Sequence, residues 1–520
     1  MPSLDGRPSR KGTRVAAACV IAVATGAWSR PAWSDPPAPD GPSATAVAAD
    51  APRATTLAEA VRDLVDAVRR AGGTAGIAVV DVGSGESLAS QGADAPLNPA
   101  SNAKLATAAA ALTRLGPGHR WLTGLYGSRA GDAMGELVLR GQGDPTLRAR
   151  DLGALAHELS AAGVRRVGSI AVDQSHFDDR FVPPAFDQQP DEQSSFRAPV
   201  AAVSLEGNSV LVTIRPGDRG KPARVDVSPT GFVDVVGVVR TTAKKDAEKL
   251  TVTVEPKGDR LLARVDGHVP EGGRVAVVAR RVEDPRLYAG FVLREALREA
   301  GVEVTGGVRA GGEGERHLVA AHRSAPLGEV LGALGKDSDN FVAEMMLKAL
   351  GATTKGRPAT AEAGADAVAE VLRELGAFGP GTRVRNGSGL FDANRISARG
   401  LAALLRAAHR DAAIGPEYVA HLSIGGVDGT LRGRFRGWSK TRAIRAKSGT
   451  LKAVVALSGY VLAPAGRAPA AFALLVNGVP DKVTTIRPLL DGVVDALARQ
   501  LWTGDARAPA LPAAVPSARR

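Results

Sequence analysis

The sequence predicts an α/β (α+β) fold in which helices pack on an antiparallel sheet and that one domain is split by β-rich inserted domains. Three observations predict it. A helical stripe and then a strand open the first globular stretch, Leu57–Val82. Alternating strand patterns dominate from about Gly124 to Gly312. Helical patterning then returns, and the chain closes on two strands and a helix ending at Leu501. The terminal helices are expected on one face of the sheet.

Each element follows from its residues. Thr56-Leu57-Ala58-Glu59 is a capping box, and Leu57, Val61, Leu64, Val65 and Val68 form one apolar stripe that Gly72–Gly73 ends. Gly76–Val82 reads as a strand, followed by a Gly-Ser-Gly turn and a second short strand. Ser101–Leu115 reads as a helix whose alanine run, Ala108–Ala111, lets it lie close against a sheet. In the middle block, strands are expected at Glu136–Arg140, Ser209–Arg215, Arg224–Ser228, Leu250–Val254, Leu261–Val265 and Arg274–Ala279, with a helix at Pro285–Ala300. Helices follow at Pro326–Leu350, Ala361–Leu375 and Ser397–Ala413. Thr450–Val461 and Ala470–Asn477 are expected strands joined through Pro464-Ala465-Gly466, and the last helix is Ile486–Leu501.

Composition excludes several classes. Hydrophobic residues at 44% and charged residues at 23% supply a core, which a wholly disordered chain lacks. The longest apolar run, Val15–Trp28, is too short to span a bilayer, so a polytopic membrane protein is excluded. The single cysteine, Cys19, rules out an intramolecular disulfide and thiolate metal clusters. It lies early in the apolar run rather than at its end, which argues against a lipoprotein cysteine. No dense Lys/Arg run carries interleaved aromatics, so nucleic acid is not an expected partner.

The first residues read as an export signal. Arg7, Arg10, Lys11 and Arg14 precede the apolar run, and Ala32-Trp33-Ser34 is a small-x-small cleavage site. Cleavage there removes Cys19 and lowers the net charge from +12 to +8. That charge suits anionic wall polymers or membrane headgroups, and a solvated surface with no partner accounts for it more simply.

Three short motifs carry chemistry. Ser101-Asn102-Ala103-Lys104 puts a hydroxyl and an amine on one side of a helix, nearly one turn apart. A serine needs a base, and a neutral lysine amine serves if burial or a second cation depresses its pKa. Ser338-Asp339-Asn340 offers a hydroxyl to relay a proton and an amide to hold a carbonyl. Lys447-Ser448-Gly449-Thr450 leads into an apolar strand, where an amine and a hydroxyl can grip a carboxylate and the glycine admits a substrate. A peptide can then align along the strand edge. Singly, each is also what a helix start, an N-cap segment or a strand-leading turn would show.

The ordered set of Ser-x-x-Lys, Ser-x-Asn and Lys-Ser/Thr-Gly occurs in penicillin-binding proteins and class A β-lactamases. Ser101 and Ser338 are 237 residues apart, too far for the latter. The chain resembles the low-molecular-mass class C penicillin-binding proteins, the D-alanyl-D-alanine carboxypeptidase/endopeptidase family, which carries a large insertion in this gap. Further matching stretches are Gly141–Leu147, Ala198-Pro199-Val200, Ser338–Glu344, Asn386–Leu390 and Gly426–Leu431, within roughly Leu57 to Leu501. Departures are Ser448 where Thr is commoner, Asn386 where Asp is often found, and Phe391 where Ser is common.

The resemblance implies a split β-lactamase/transpeptidase-like domain and a set of roles. Ser101 would be the acylated nucleophile, Lys104 its base, and Ser338 the proton shuttle to the leaving amine. Asn340 would bind the peptide carbonyl. Lys447 would depress the pKa of Lys104 and, with Ser448, hold the terminal carboxylate. Gly449 would leave room for substrate, and the N–H groups of Ser101 and Thr450 would form the oxyanion hole. The implied partners are peptidoglycan stem peptides and β-lactam antibiotics, with no metal or organic cofactor and no transmembrane anchor. The implied division is a signal peptide at 1–34, a Pro/Ala-rich linker at 35–53, and the peptidase domain at 54–122 and 325–504. One inserted β-rich domain takes 123–145 and 216–324, a second takes 146–215, and a tail takes 505–520. Two other readings stay open: a serine β-lactamase or esterase on the same scaffold, and a non-catalytic wall-binding protein.

Overall fold

The two ends of the chain meet across about 400 residues of sequence, Thr74 pairing with Asn477, and that closure completes the sheet that carries the site. The computed structural model describes residues 56–189, 192–258, 260–312 and 316–503. The expected signal, linker and tail segments lie essentially outside these. In chain order the elements begin with α1 (Leu57–Arg70), β1 (Thr74–Asp81), β2 (Ser87–Gln91), a 3-10 turn (Ala100–Asn102) and α2 (Ala103–Leu115). Next come β3 (Leu122–Tyr126), β4 (Arg129–Ala130), β5 (Ala133–Gly141), α3 (Ala149–Ala161) and β6 (Arg166–Asp173). The middle continues with β7 (Ser209–Arg215), β8 (Arg224–Ser228), β9 (Val233–Thr242), β10 (Lys249–Lys257), β11 (Arg260–Pro270) and β12 (Ala276–Arg281). It ends with α4 (Tyr288–Glu299), β13 (Glu303–Val304), β14 (Val308–Ala310) and β15 (Leu318–Arg323). Five helices follow: α5 (Leu327–Gly335), α6 (Asn340–Thr354), α7 (Ala361–Glu374), α8 (Ala398–Arg410) and α9 (Gly415–Ala420). The last elements are β16 (Ser423–Ile424), β17 (Ile444–Leu451), β18 (Val454–Val461), β19 (Ala470–Asn477) and α10 (Val483–Thr503).

The main sheet has the order β16-β17-β18-β19-β1-β2 and is antiparallel throughout. Thr74 pairs with Asn477 and Asp81 with Ala470, so the two ends of the chain share one sheet. Alternation along β1 sends Ile77 and Val79 to one face, where Leu64 and Val68 of α1 and Leu490, Val494 and Leu497 of α10 cover them. Ala78 faces the other side, with Leu105 of α2 and Leu401 and Leu405 of α8. Every residue of β18 is buried, as a strand between two helical layers requires. The alanine run of α2 is fully buried, and thin side chains let this helix sit at the centre of the helical layer.

The middle block has its own core and three sheets. β5 pairs in parallel with β6, and β7 pairs with β12. Strand pairing therefore runs across the expected boundaries at 145/146 and 215/216. The parallel β5-α3-β6 unit was not expected, because the apolar stripe of α3 is short and β6 opens with Arg166 and carries Gly168.

Two expected elements are corrected. Pro326–Leu350 is two helices, because Ser338 takes a left-handed backbone (φ 60°) and Asp339 starts a new helix by accepting from the Val342 N–H at 3.1 Å. Thr450–Val461 is the end of one strand and all of another, joined by a turn at Lys452 and Ala453. Lys447–Thr450 consequently lies inside β17 rather than in a turn ahead of a strand. The α2 helix also starts two residues later than expected, at Ala103, with Ser101 in the preceding 3-10 turn.

Candidate active site

The segment carrying Ser101 is fixed from three sides. The Asn98 side chain accepts from the Ala100 N–H at 2.9 Å and donates to the Phe391 carbonyl at 3.0 Å. Asn477, at the end of β19, brackets the Asn98 backbone at 2.8 and 3.0 Å. Two glycines press on the same segment. A Cβ on Gly389 would fall 1.9 Å from the Ala100 carbonyl oxygen, and one on Gly449 would fall 2.9 Å from Asn102 Nδ2. Gly389, at φ 75°, admits no side chain, and one at Gly449 would make its neighbours give by a few tenths of an ångström; the effect is to hold β17 and the 386–390 loop directly against the serine's backbone.

Lys104 lies one turn beyond Ser101 and is wholly buried. Its Nζ donates to Ser101 Oγ at 3.2 Å, to Asn340 Oδ1 at 2.7 Å and to the Ser388 carbonyl at 2.9 Å. Asn340 is oriented by donating its Nδ2 to the Phe196 carbonyl at 3.1 Å, which aims its oxygen at the lysine. The helix α6 supplies Asn340 from its first position, and the break before it swings Ser338 to the opposite side of the same cluster. Ser338 Oγ accepts from Lys447 Nζ at 2.8 Å. Lys447 is also wholly buried, and its Nζ donates further to the Ser448 carbonyl at 2.8 Å. The left-handed serine stores backbone strain, which the flanking helices hold in place.

Ser448 is half-buried and donates to Thr430 Oγ1 at 2.8 Å. Thr450 is exposed, on the α10 side, where Arg487 donates weakly to its Oγ1 at 3.4 Å. β16 pairs only with Arg445 and Ala446. The outer edge of β17 from Lys447 onward therefore has no strand partner among the described residues, and it is open to an extended peptide.

The structure thus brings all eight sequence-selected residues together: Ser101, Lys104, Ser338, Asn340, Lys447, Ser448, Gly449 and Thr450. It adds two that the sequence reading did not single out. Glu344, 1% exposed, accepts from the Gly387 and Ser388 N–H groups at 3.0 and 2.8 Å. It thereby presents the Ser388 carbonyl to Lys104. Burial pushes its pKa up, and the two backbone donors and Lys104 oppose that. Thr430 closes the hydroxyl pair with Ser448, and its loop is tied to the end of α5 by the Lys336–Asp428 ion pair (2.5 Å) and the Thr430 N–H to Lys336 carbonyl bond (3.1 Å). Both residues sit in stretches already noticed, Ser338–Glu344 and Gly426–Leu431, so spacing could have found them.

His421, also buried, feels the charge of Lys447. Its Nδ1 donates to the Tyr418 carbonyl, and its Nε2 is buried without a partner among the described residues. Burial, with Lys447 and Lys336 adding to it, holds its pKa down at about 4. The ring stays neutral and adds no charge to the cleft at neutral pH. Chemically, the arrangement pairs two hydroxyls with two buried amines around one strand edge, which suits acyl transfer by a serine with a lysine base.

Comparison with known proteins places this geometry. Residues 57–497 match the D-Ala-D-Ala carboxypeptidase 3 (S13) family. The chain is 35% identical over 451 residues to a D-alanyl-D-alanine carboxypeptidase of an Actinomadura species, across 83% of this chain and 82% of that protein. It is 27% identical over 401 residues to the D-alanyl-D-alanine carboxypeptidase DacB of Haemophilus influenzae, across 73% of this chain and 80% of that one. Among solved structures it is similar in fold to penicillin binding protein 4 of Haemophilus influenzae. The TM-score is 0.72 at 24% identity, over 84% of this chain and 99% of that chain.

Proposed function

The chain belongs to the D-Ala-D-Ala carboxypeptidase 3 (S13) family, and from that premise we propose how its own residues perform the reaction. It is a serine DD-peptidase that hydrolyses the D-Ala–D-Ala bond of peptidoglycan stem peptides. Ser101 Oγ attacks the carbonyl carbon of the penultimate residue while its proton passes to Lys104 Nζ. The N–H groups of Ser101 and Thr450 bind the developing oxyanion, and losing one such donor typically costs about 3–4 kcal/mol of barrier lowering. The C–N bond then breaks, and Ser338 hands the leaving amine a proton drawn through Lys447. Asn340 holds a peptide carbonyl of the substrate with its amide, and Lys447 and Ser448 hold the terminal carboxylate. The proton held by Lys104 passes through Ser338 to Lys447, replacing the one given up. Water then attacks the acyl carbon with its proton passing to Lys104, and the ester C–O bond breaks as Ser101 Oγ takes that proton back, restoring the enzyme.

The observation that carries this reading is the buried amine of Lys104 lying between Ser101 Oγ and Asn340 Oδ1, with Ser338, two residues before Asn340, bonded to Lys447 Nζ. In a crosslink the leaving amine belongs to a second stem peptide, so the same steps give endopeptidase cleavage. A penicillin offers a strained amide with a carboxylate in the matching place, and its acyl-serine is expected to persist. The peptidase domain is assigned to 54–122 and 325–504, whose strands share the main sheet. The basic and apolar leader with its small-x-small site supports export to the periplasm or another extracytoplasmic space.

The test is release of D-alanine from an acylated X-D-Ala-D-Ala peptide by the wild type, S101A and K104A. The reading expects release by the wild type and a loss of at least about a thousandfold in either variant. Turnover by folded S101A contradicts it. Rapid turnover of penicillin by the wild type would favour the β-lactamase alternative.

A further inference from the structure

A cavity of about 210 Å³ lies where the middle block meets the peptidase helices, lined by Tyr126, Arg140, Gln142, Ser175, His176 and Arg357. Tyr126 ends β3, Arg140 and Gln142 stand at the end of β5, Ser175 and His176 follow β6, and Arg357 lies in the connection from α6 to α7. None of these residues takes part in the steps above. α6 starts at Asn340 in the catalytic cluster and runs 15 residues before that connection. At about 1.5 Å per residue the helix is roughly 22 Å long, and the cavity lies off its far end. Ser175 and Arg357 are exposed, so a solute can reach it.

The walls are fixed by backbone. The Asp178 N–H donates to the Ala359 carbonyl at 3.0 Å and the Ala359 N–H to the His176 carbonyl at 3.1 Å, which joins the segments carrying His176 and Arg357. The lining is rich in donors and short of acceptors. Asp173, buried beside it, has both oxygens taken, one by Arg140 Nε at 2.5 Å and the other by the Ser175 N–H at 2.9 Å. Gln142 Oε1 accepts from the Leu122 N–H at 3.2 Å, which leaves its Nε2 to donate. That Nε2, the Arg357 guanidinium, the Ser175 and Tyr126 hydroxyls and the His176 ring have no hydrogen-bond partner among the described residues. Burial and the charge of Arg357 hold the His176 pKa down at about 4 against the pull of Asp173, so the ring is neutral. Such a lining lacks an anion with many acceptor sites. A phosphate ester brings three acceptor oxygens and up to two charges, more than a carboxylate, and suits a guanidinium fork. The cavity also has room for the sugar or polyol that carries it.

We propose that this cavity is a binding site for a sugar-sized phosphate ester, with Arg357 supplying the charge and Ser175, Gln142, Tyr126 and His176 the further donors. The site is separate from the catalytic cleft and does not depend on the peptidase reading. Its ligand is either a free sugar phosphate or a phosphodiester unit of a polymer, which share this chemistry.

The test is calorimetric titration of the full chain with glucose 1-phosphate, with glycerophosphoglycerol and, as the neutral control, with glucose. At least one phosphate is expected to bind one-to-one with a Kd of about 1 mM or tighter, and glucose is not. Tighter binding of the monoester marks a free sugar phosphate as the source, and tighter binding of the diester marks a polymer. Arg357→Gln should weaken the binding at least about tenfold while its acylation by penicillin keeps the wild-type rate. A bound phosphate should also raise the His176 pKa above about 4, read by NMR of the ring in the wild type, which serves if Arg357→Gln does not fold. Absence of binding that tight, equal binding of glucose, affinity unchanged in folded Arg357→Gln, slower acylation by that variant, or a His176 signal that does not move each overturns the proposal. None of them bears on the assignment of Ser101 and Lys104.

Discussion

The substitution Gly449→Ala isolates the packing of β17 against the nucleophile from every other feature of the site. An added Cβ would meet Asn102 Nδ2 at 2.9 Å, the Ala100 Cβ at 3.1 Å and the Pro99 carbonyl oxygen at 3.1 Å. All three belong to the segment that carries Ser101. Ordinary contact asks for about 3.4 Å or more, so strand and turn must part by several tenths of an ångström. Relief costs about 1–3 kcal/mol of stability. The catalytic cost is larger, because the same movement opens the gap between Ser101 Oγ and the Thr450 N–H, and a misplacement near 1 Å removes about a hundredfold in rate. The assay is the second-order rate of acylation by a fluorescent penicillin, beside a thermal melt. The expected result is a melting temperature lower by a few degrees and acylation slowed by ten- to a hundredfold, in order of magnitude. Wild-type acylation by Gly449→Ala would refute the argument that this approach sets the oxyanion geometry.

Two further predictions concern stability. His421 has a folded pKa of about 4, below its free value of 6.5. Its neutral ring therefore contributes fully above pH 6.5, and that contribution is lost as pH falls toward 4. The loss reaches about 3 kcal/mol. The melting temperature of the wild type should fall more steeply between pH 7 and pH 4.5 than that of His421→Asn, and parallel curves would contradict this. Lys348, 1% exposed, pairs with Asp178 at 2.5 Å and with the Arg180 carbonyl at 2.9 Å, tying α6 to the segment after β6. Lys348→Met leaves that carboxylate unpaired and should destabilise by about 3 kcal/mol, with part regained when Asp178→Asn is added. Additive effects in the double variant would show that the pair is not coupled.

The site was legible where chemistry restricts the residue type. A serine with a lysine one turn on, a second serine before an asparagine, and a lysine before a hydroxyl and a glycine could be read as one set from order alone. The backbone that assembles them was less visible. No residue signal marks Ser338 as left-handed, since serine there has neither glycine's freedom nor asparagine's tendency to that region. The turn at Lys452 and Ala453 lacks Gly, Asn and Pro, so two strands read as one apolar run. Glu344 and Thr430 act through hydrogen bonds to the backbone and to another hydroxyl, and their partners lie 43 and 18 residues away in sequence. The split domain was legible because both chain ends kept their periodicity. The parallel pairing of β5 with β6 was not, because α3 and β6 carry weak patterns.

The central claim is that one hydroxyl, at position 101, is acylated within a cleft that all three motifs line. Peptide mass spectrometry after penicillin treatment tests it most directly, with the wild type beside Ser101→Ala. One adduct, confined to the tryptic fragment containing Ser101 and absent from the variant, is the predicted result. An adduct on Ser338, Ser448 or any other residue of the wild type, or one that survives in Ser101→Ala, would contradict it.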